Sequence, residues 1–223
     1  MKLDTLRLWH DVTPRGGAFN MALDEAMLEL ADEPWLRVYG WREPAISIGF
    51  SQSLGAIPEN RRDWLVVRRW TGGGVVEHHG DWTYTLAVPA RLAVGDQRAV
   101  ETYRWIHEAL IVALAESGIG GCSLQAESTS DGMGVCFAEP ARFDVVHEGR
   151  KVAGAAQRRS KTGFLHQGSF QPLQPPPGFA LAFARALARE PVVVRQDDAL
   201  HLLDDRAQIL AAEKYGVASW LED

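Results

Sequence analysis

The sequence predicts an α+β fold, in which helices pack against a central mixed or antiparallel β-sheet. Two segments carry apolar residues at the spacing of one helix face, and several others are short and rich in β-forming residues. Many of these strand-like segments follow one another without a helix between them. A doubly wound parallel sheet would need a helix after most strands, so this order favours a mixed or antiparallel sheet.

The predicted helices include two long ones, residues 18–30 and 100–116, each with apolar side chains on one face. Two shorter helices are predicted at residues 179–189 and 205–215. The run Gln174-Pro175-Pro176-Pro177-Gly178 precedes both of the shorter helices. Since proline lacks the backbone N–H that helices and central strands use, we interpret this run as a connection to a helical C-terminal segment.

The clearest predicted strands are residues 36–41 and 81–88, which alternate or are rich in aromatic and β-branched side chains. Further strands are predicted at residues 45–49, 65–69, 143–147, 151–157 and 164–170.

The composition is that of an ordinary globular domain, with 46% hydrophobic and 23% charged residues among 223. That length suits one sizeable core, so we expect residues 1–223 to form a single domain. The net charge of −6 argues against general binding to nucleic acid phosphates. No apolar run approaches the roughly 18 residues that would suggest a membrane span. We therefore expect neither nucleic acid nor a membrane as a partner.

The two cysteines, Cys122 and Cys136, are too few for a secreted fold stabilised by disulfides. The first residues of the chain carry charges where a signal peptide would need an apolar stretch. We therefore expect a cytoplasmic protein.

A glycine-rich segment follows the strand predicted at residues 65–69. Three consecutive glycines would let backbone N–H groups approach a ligand closely, and two arginines before them would suit phosphate or carboxylate. The segment reads Arg68-Arg69-Trp70-Thr71-Gly72-Gly73-Gly74-Val75-Val76-Glu77-His78. The alternative is a glycine-rich hairpin turn with solvated arginines.

A second segment, residues 149–158, combines a lysine with small side chains. Gly154 and Ala155 belong to a strand that a ligand could approach closely. Lys151 could hold an acyl carbonyl or a phosphate, or stabilise a thiolate. The alternative is a turn lysine in water.

Two further candidates are single side chains. Cys136 lies in a loop bounded by glycine and proline, where reactive groups are often presented, whereas Cys122 has no such setting and is interpreted as structural. His166 could be a base or a hydrogen-bonded core histidine, and no matched Ser/His/Asp set can be assembled from spacing. His78, His79 and His107 lack further ligands at metal spacing, so no metal site is predicted.

Taken in order, these segments resemble the lipoate–protein ligase A and octanoyltransferase family, relatives of the biotin–protein ligases. The resemblance covers nearly the whole chain. It runs through Asn20-Met21-Ala22-Leu23-Asp24-Glu25, Pro44-Ala45-Ile46-Ser47-Ile48-Gly49, Gln52, residues 68–78, Thr83-Tyr84, residues 136–157, His166-Gln167-Gly168-Ser169, Lys214-Tyr215 and Trp220.

The resemblance implies one α+β catalytic domain without a C-terminal accessory lobe, whose sheet lines an acyl pocket. It implies transfer of an octanoyl or lipoyl group to a lysine of a lipoyl-domain protein, either a 2-oxoacid dehydrogenase E2 subunit or the glycine cleavage H protein. Contacts to the acyl group or its adenylate are expected from Arg68, Arg69, Thr71, Gly72, Gly73, Gly74, Val75, Val76, Glu77, His78, Gly154, Ala155 and His166.

Two chemistries share the family's fold. A transferase takes octanoate from acyl carrier protein through a cysteine thioester and needs no obligatory cofactor, whereas a ligase activates free lipoate with ATP and Mg. The segment Cys136-Phe137-Ala138-Glu139-Pro140 precedes Gly149-Arg150-Lys151 as in the transferases. Cys136 and Lys151 would then be catalytic, with Lys151 lowering the pKa of the thiol.

Other features keep alternatives open. Gly74 stands where such transferases often have arginine, and the triple glycine is more similar to a ligase. A biotin–protein ligase would be expected to carry a Gly-Arg-Gly-Arg type of loop, which is not present. A non-catalytic scaffold that binds lipoyl domains is a further alternative. The presence of Lys151 and the glycines argues against it, because a scaffold need not keep either.

Overall fold

The computed structural model describes residues 1–128, 140–171, 175–195 and 198–222, which form two sheets with helices packed around them. The strands are Leu3–Arg15 (β1), Trp35–Trp41 (β2), Ala45–Ile48 (β3), Leu65–Arg68 (β4), Val76–His78 (β5), Trp82–Pro89 (β6), Cys122–Leu124 (β7), Val145–His147 (β8), Arg150–Ser160 (β9), Gly163–Phe170 (β10) and Ala188–Val194 (β11). The α-helices are Gly17–Leu30 (α1), Ala99–Glu116 (α2), Phe179–Leu187 (α3), Asp198–Leu210 (α4) and Ala218–Glu222 (α5). A π-helical turn, Ala211–Tyr215, joins α4 to α5.

The larger sheet has eight strands in the order β11-β1-β2-β6-β10-β9-β8-β7, and the smaller sheet has the order β4-β3-β5. Strand β1 pairs in parallel with both β11 and β2, whereas β2–β6, β6–β10 and β10–β9 pair antiparallel. The sheet is therefore mixed, as predicted.

Helices cover both faces of the larger sheet. One core cluster joins α2 and α3 to side chains such as Leu36, Leu86 and Phe164, while the other joins α1 and α4 to Leu165. Phe164 and Leu165 are neighbours in β10, and they enter different cores because successive strand residues point to opposite faces. Each strand residue at the centre of the sheet is thus assigned to one core or the other.

The structure confirms the two long predicted helices as α1 and α2 and extends or corrects the C-terminal elements. Residues 188–189 begin the edge strand β11 instead of ending a helix, because pairing with β1 satisfies the backbone of this segment. The last predicted helix starts earlier, at Asp198, and continues into the π-helical turn. Strand β1 was not predicted, since charged residues are spread along it and its buried positions do not alternate regularly.

Within the described part of the chain, no helix is both long and apolar enough to cross a membrane.

A fully buried arginine, Arg37 on β2, joins β1 and α1 to the sheet. Its guanidinium donates to Asp11 Oδ2 at 2.8 Å and to Asp24 Oδ1 at 2.9 Å, with further bonds to the side-chain and backbone oxygens of Asn20. Burial by itself would lower the pKa of Arg37, but the negative charges of Asp24 and Asp11 outweigh burial and raise it. This arginine therefore stays charged inside the core.

Arg37→Met should lower the free energy of unfolding by about 3–5 kcal/mol, because it leaves the buried carboxylate of Asp24 without its cation and leaves Asp11 with Arg15 alone. Urea denaturation measures the loss. Arg104→Gln is the control, since it breaks an exposed pair with Glu108 in α2 and should cost about 0.3–0.5 kcal/mol. Similar losses in the two variants would contradict the role given to Arg37.

Candidate functional site

A cleft of about 430 Å³, partly open to solvent, lies between the two sheets and α1. The residues that line it fall into two groups. Those of the first group are small, apolar or aromatic, and those of the second group carry hydrogen-bonding side chains. The first group is Met21, Tyr39, Trp41, Val76, Gly154, Ala155, Ala156 and Gly168. The second group is Ser47, Arg69, His78, Thr83, Gln167 and Ser169.

The small residues of β9 shape one wall of this cleft. A Cβ atom at Gly154 would lie 2.5 Å from Lys151 Cε and 2.8 Å from its Nζ. A side chain at position 154 would therefore push the end of the lysine side chain away from its present place. The sequence predicted that a ligand could approach this strand closely. At Gly154, the side chain that makes the close approach is that of Lys151.

Lys151 is almost fully buried and pairs with Asp144. Its Nζ lies 2.7 Å from Asp144 Oδ2, and the two side chains are 2% and 1% exposed. Tyr103 from α2 donates its hydroxyl hydrogen to Asp144 Oδ1 and accepts a hydrogen bond from the Ala155 N–H at 3.0 Å. The alternative of a solvated turn lysine is therefore wrong, and the ammonium is fixed beside the Gly154 wall.

The glycine loop is held from inside by Arg69. Its Nη2 donates to the carbonyl oxygens of Gly72 and Gly74 at 2.8 and 2.7 Å, and its Nη1 donates to Ser47 O at 2.8 Å. Gly73 has φ +84°, a conformation that favours glycine. The arginine thus binds the loop itself, which excludes the alternative of a solvated side chain.

A hydrogen-bonded chain also connects this loop to α1. Thr71 Oγ1 donates to Gln167 Oε1 at 2.7 Å, and Gln167 Nε2 donates to Asp24 Oδ2 at 2.7 Å. All three side chains are buried. The position of the loop is therefore set by the core on the far side of the cleft.

His78 lies on the opposite wall from Lys151, on β5. Its Nε2 is 2.8 Å from Ser47 Oγ, its Nδ1 is 2.8 Å from Asp81 Oδ2, and Trp41 stacks on its ring at 3.9 Å. Ser47, His78 and Asp81 thus form a hydrogen-bonded line of serine, histidine and aspartate that does not include His166. Sequence spacing could not reveal it, because Ser47 and His78 are 31 residues apart and meet only through pairing of β3 with β5.

The carboxyl group of Asp81 stays ionised in this arrangement. Burial by itself would raise its pKa, but the electrostatic attraction of His78 and hydrogen bonds from His78, Ser169 and Thr83 outweigh burial and lower the pKa. Ser169 and Thr83 donate to Asp81 Oδ2 at 2.7 and 2.8 Å. Asp81 thus fixes the orientation of His78 from outside the cleft.

Several residues predicted for the site point elsewhere. On β5, Val76 and His78 face the cleft, whereas Glu77 points outward and pairs with Arg61 at 3.1 Å. Val75 is buried in the small core of the three-stranded sheet. Alternation along the strand accounts for both corrections.

Arg68 is also corrected. Its buried guanidinium donates to main-chain carbonyl oxygens on the loop after β3 and on α5, those of Gly49, Phe50, Gln52, Trp220 and Leu221. Arg68 therefore ties the C-terminal helix to the loop after β3 and does not line the cleft.

His166 lies on the opposite face of β10 from the cleft, against α2. Its Nε2 is 3.2 Å from the Tyr84 hydroxyl and its Nδ1 is 3.0 Å from Gln157 Nε2. Burial, followed by the nearby His107, lowers the pKa of His166 well below its usual value. The structure therefore supports the core-histidine interpretation and corrects its assignment to the acyl site.

The two cysteines differ in what the structure describes. Cys136 lies outside the described residues. Cys122 is half-buried on the edge strand β7, and burial raises the pKa of its thiol. A raised pKa leaves less thiolate at neutral pH, which fits a structural role.

Comparison with known proteins places the chain in a family. Residues 17–171 match the model of the lipoyl protein ligase A/B catalytic domain. The chain belongs to this family. A putative lipoate protein ligase from T. acidophilum, solved with bound lipoic acid, has the same fold, with a TM-score of 0.75 and 19% identity over 100% of both chains.

Curated relatives in this family are octanoyltransferases. LipM of Symbiobacterium thermophilum is 36% identical over 173 residues, which are 71% of this chain and 62% of that protein. LipM of Kyrpidia tusciae is 35% identical over 186 residues, which are 75% of this chain and 66% of that protein. The match thus spans slightly less than two thirds of either relative.

The buried histidines predict a pH dependence of stability. Burial lowers the pKa of His166 and of His107 below the unfolded value of about 6.5, so the unfolded chain takes up more protons in acid. The free energy of unfolding should therefore fall as pH drops below about 6.5, by up to about 1.4 kcal/mol per pH unit for each histidine.

Urea titrations between pH 7 and pH 5, the range in which unfolded histidine titrates, measure this slope. His166→Gln should make it shallower, whereas His201→Gln, at an exposed position on α4, should leave it unchanged. A wild-type slope in the His166 variant would contradict a neutral buried imidazole.

Proposed function

We propose that this chain transfers an octanoyl or lipoyl group to a lysine of a lipoyl-domain protein, through a thioester on Cys136. The observation that carries the proposal is the buried ammonium of Lys151, held by Asp144 beside a narrow and largely apolar cleft. An apolar cleft suits a medium-length acyl chain, and a single fixed cation suits the carbonyl at its end. The octanoyltransferase relatives support the same reaction class.

Different walls of the cleft bind different parts of the acyl group. Met21, Trp41 and Val76 offer apolar surface for the methylene groups. Burying each CH₂ group contributes roughly 0.8 kcal/mol, so a chain of octanoyl length gains most of its affinity from such contacts. The acyl carbonyl then lies toward the polar end of the cleft, where β9 presents Gly154 and Ala155.

The chemistry requires a thiolate and a cation near the reacting carbonyl. The Cys136 thiolate attacks the carbonyl carbon of the carrier-protein thioester, and the carrier thiol leaves. The neutral amine of the acceptor lysine then attacks the acyl-cysteine and releases the Cys136 thiolate, and the proton that the amine loses to solvent balances the proton that the carrier thiol took up. The Lys151 ammonium stabilises negative charge on the carbonyl oxygen in both steps and favours the thiolate between them.

The segment that carries Cys136 is tied at its end to the same carboxylate as Lys151. The backbone N–H of Ala141, five positions after Cys136, donates to Asp144 Oδ2 at 2.7 Å. Asp144 was not singled out by the sequence, yet it contacts both the lysine and this segment.

The ATP-dependent ligase is the second candidate, favoured by the Gly72–Gly74 run in the loop held by Arg69. Backbone N–H groups and a cation could hold the phosphate of an acyl-adenylate. Lys151 would serve both reactions, so the donor is what separates them. In either case the expected acceptor is a lipoyl domain, and acyl carrier protein is the donor only for the transferase.

The decisive test supplies each donor to the same apo lipoyl domain and measures intact mass. Octanoyl carrier protein without ATP should add one octanoyl group, whereas free lipoate with ATP and Mg should add nothing. Cys136→Ser should abolish the transfer and the covalent acyl-enzyme, while the control Cys122→Ser should retain both. ATP-dependent modification by Cys136→Ser would overturn the thioester mechanism and support the ligase.

A second test moves Lys151 without replacing it. Gly154→Ala places a methyl group within 2.5 Å of Lys151 Cε and should displace the ammonium, lowering single-turnover transfer by about 10²–10³-fold. Gly120→Ala is the matched control, because nothing lies within 4 Å of its added Cβ. Transfer at the wild-type rate by a folded Gly154→Ala protein would refute the role of the fixed ammonium.

A further inference from the structure

The proposed transfer depends on residues at the β9 wall of the cleft. It gives no role to a second group of polar side chains. On the other wall, Ser47 Oγ, the His78 ring and the Asp81 carboxylate form a line with hydrogen bonds of 2.8 Å at both joints. Both Ser47 and His78 line the cleft. These are the contacts that a serine nucleophile, a general base and an orienting carboxylate make in acyl-transfer enzymes.

The neighbouring donors determine which atom holds each hydrogen. Arg69 Nη1 donates to Ser47 Oγ at 3.1 Å, so the serine's own hydrogen is available for His78 Nε2. Asp81 can only accept, so His78 Nδ1 carries the hydrogen that points to it. The unprotonated Nε2 therefore faces the serine hydroxyl, which is the tautomer that a general base requires.

Further contacts hold this line in place. Trp41 stacks on the His78 ring and donates its indole N–H to Thr83, which in turn donates to Asp81. Asp81 is buried, and its lowered pKa keeps it anionic at neutral pH. The Arg69 guanidinium, within 3.1 Å of Ser47 Oγ, is also close enough to stabilise negative charge on a carbonyl that Ser47 attacks.

We propose that Ser47 is a second nucleophile of the cleft, which hydrolyses medium-chain acyl thioesters and esters with His78 as its base and Asp81 as a positioning residue. This activity rests on the proposed function only in taking a medium-chain acyl group as the ligand of the cleft. It requires neither Cys136 nor an acceptor protein.

The reaction proceeds through an acyl-serine. Ser47 Oγ bonds to the acyl carbon while its proton passes to His78 Nε2, and the thiolate then leaves with that proton as a thiol. Water next attacks the acyl-serine and gives one proton to His78, after which the bond from carbon to Oγ breaks. Oγ recovers the proton, so the net change is thioester and water to carboxylic acid and thiol.

The test uses Cys136→Ala protein, in which no acyl-cysteine can form. Hydrolysis of octanoyl-N-acetylcysteamine and of 4-nitrophenyl octanoate should persist there and fall at least about 10²-fold when Ser47→Ala is added. An octyl fluorophosphonate should label Ser47, as located by peptide mass spectrometry. Ser123→Ala, an exposed serine on β7, is the control and should change neither result.

Two further variants separate chemistry from structure. Ser47→Cys keeps a nucleophile, and should accumulate a covalent octanoyl adduct at that position. Asp81→Asn should lower kcat and change the pH profile of hydrolysis while KM stays near that of the parent. A loss of packing alone would not produce these changes.

Wild-type hydrolysis by a folded Ser47→Ala protein, or fluorophosphonate labelling that avoids Ser47, would overturn the inference. The fate of the transferase proposal is read separately, from modification of the apo lipoyl domain. Transfer that survives in Cys136→Ala would refute the thioester route, whatever the outcome at Ser47.

Discussion

The carboxylate of Asp24 on α1 is the contact on which the rest of the cleft depends. It lies in the core, fully buried, and accepts hydrogen bonds at both oxygens. Arg37 donates to Oδ1, while Tyr39, Thr85 and Gln167 donate to Oδ2 at 2.9, 2.7 and 2.7 Å. Because these donors come from β2, β6 and β10, one side chain fixes α1 against three neighbouring strands.

The hydrogen bonds of Asp24 are linked through Gln167 to the glycine loop. Gln167 passes the constraint from Asp24 to Thr71, at the start of the glycine loop. Arg69 then holds the loop through carbonyl oxygens on either side of Gly73. Burying charges costs free energy unless they are paired or hydrogen-bonded, and the buried charges of Asp24, Arg37 and Arg69 are all hydrogen-bonded. The result is a loop whose position is set by the protein before any ligand binds, which reduces the entropy lost on binding.

Two clusters of polar side chains lie at or beside the cleft. Lys151 with Asp144 lies on the β9 side, and His78 with Ser47 and Asp81 lies on the side of the small sheet. The first cluster contains a buried cation, which suits stabilisation of an oxyanion or thiolate. The second is an imidazole with a carboxylate behind it, which suits removal of a proton.

The sequence by itself determined the fold class, the two long helices, most strands and the family, because each depends on local periodicity or on short motifs. Of the site residues that it predicted, Arg69, Val76, His78, Gly154 and Ala155 line the cleft. Cys136 stays a prediction, since it lies outside the described residues.

Tertiary structure decided the remaining assignments. Which face His166, Glu77 and Arg68 present depends on strand register, and a shift of one residue reverses the face. Ser47 carries no local signal of His78, which is 31 residues away, and Asp144 carries none of Tyr103, which is 41 residues away. Hydrogen bonds between side chains distant in sequence form only once the sheets have packed, so periodicity can place a residue on a strand but cannot name what it meets across the cleft.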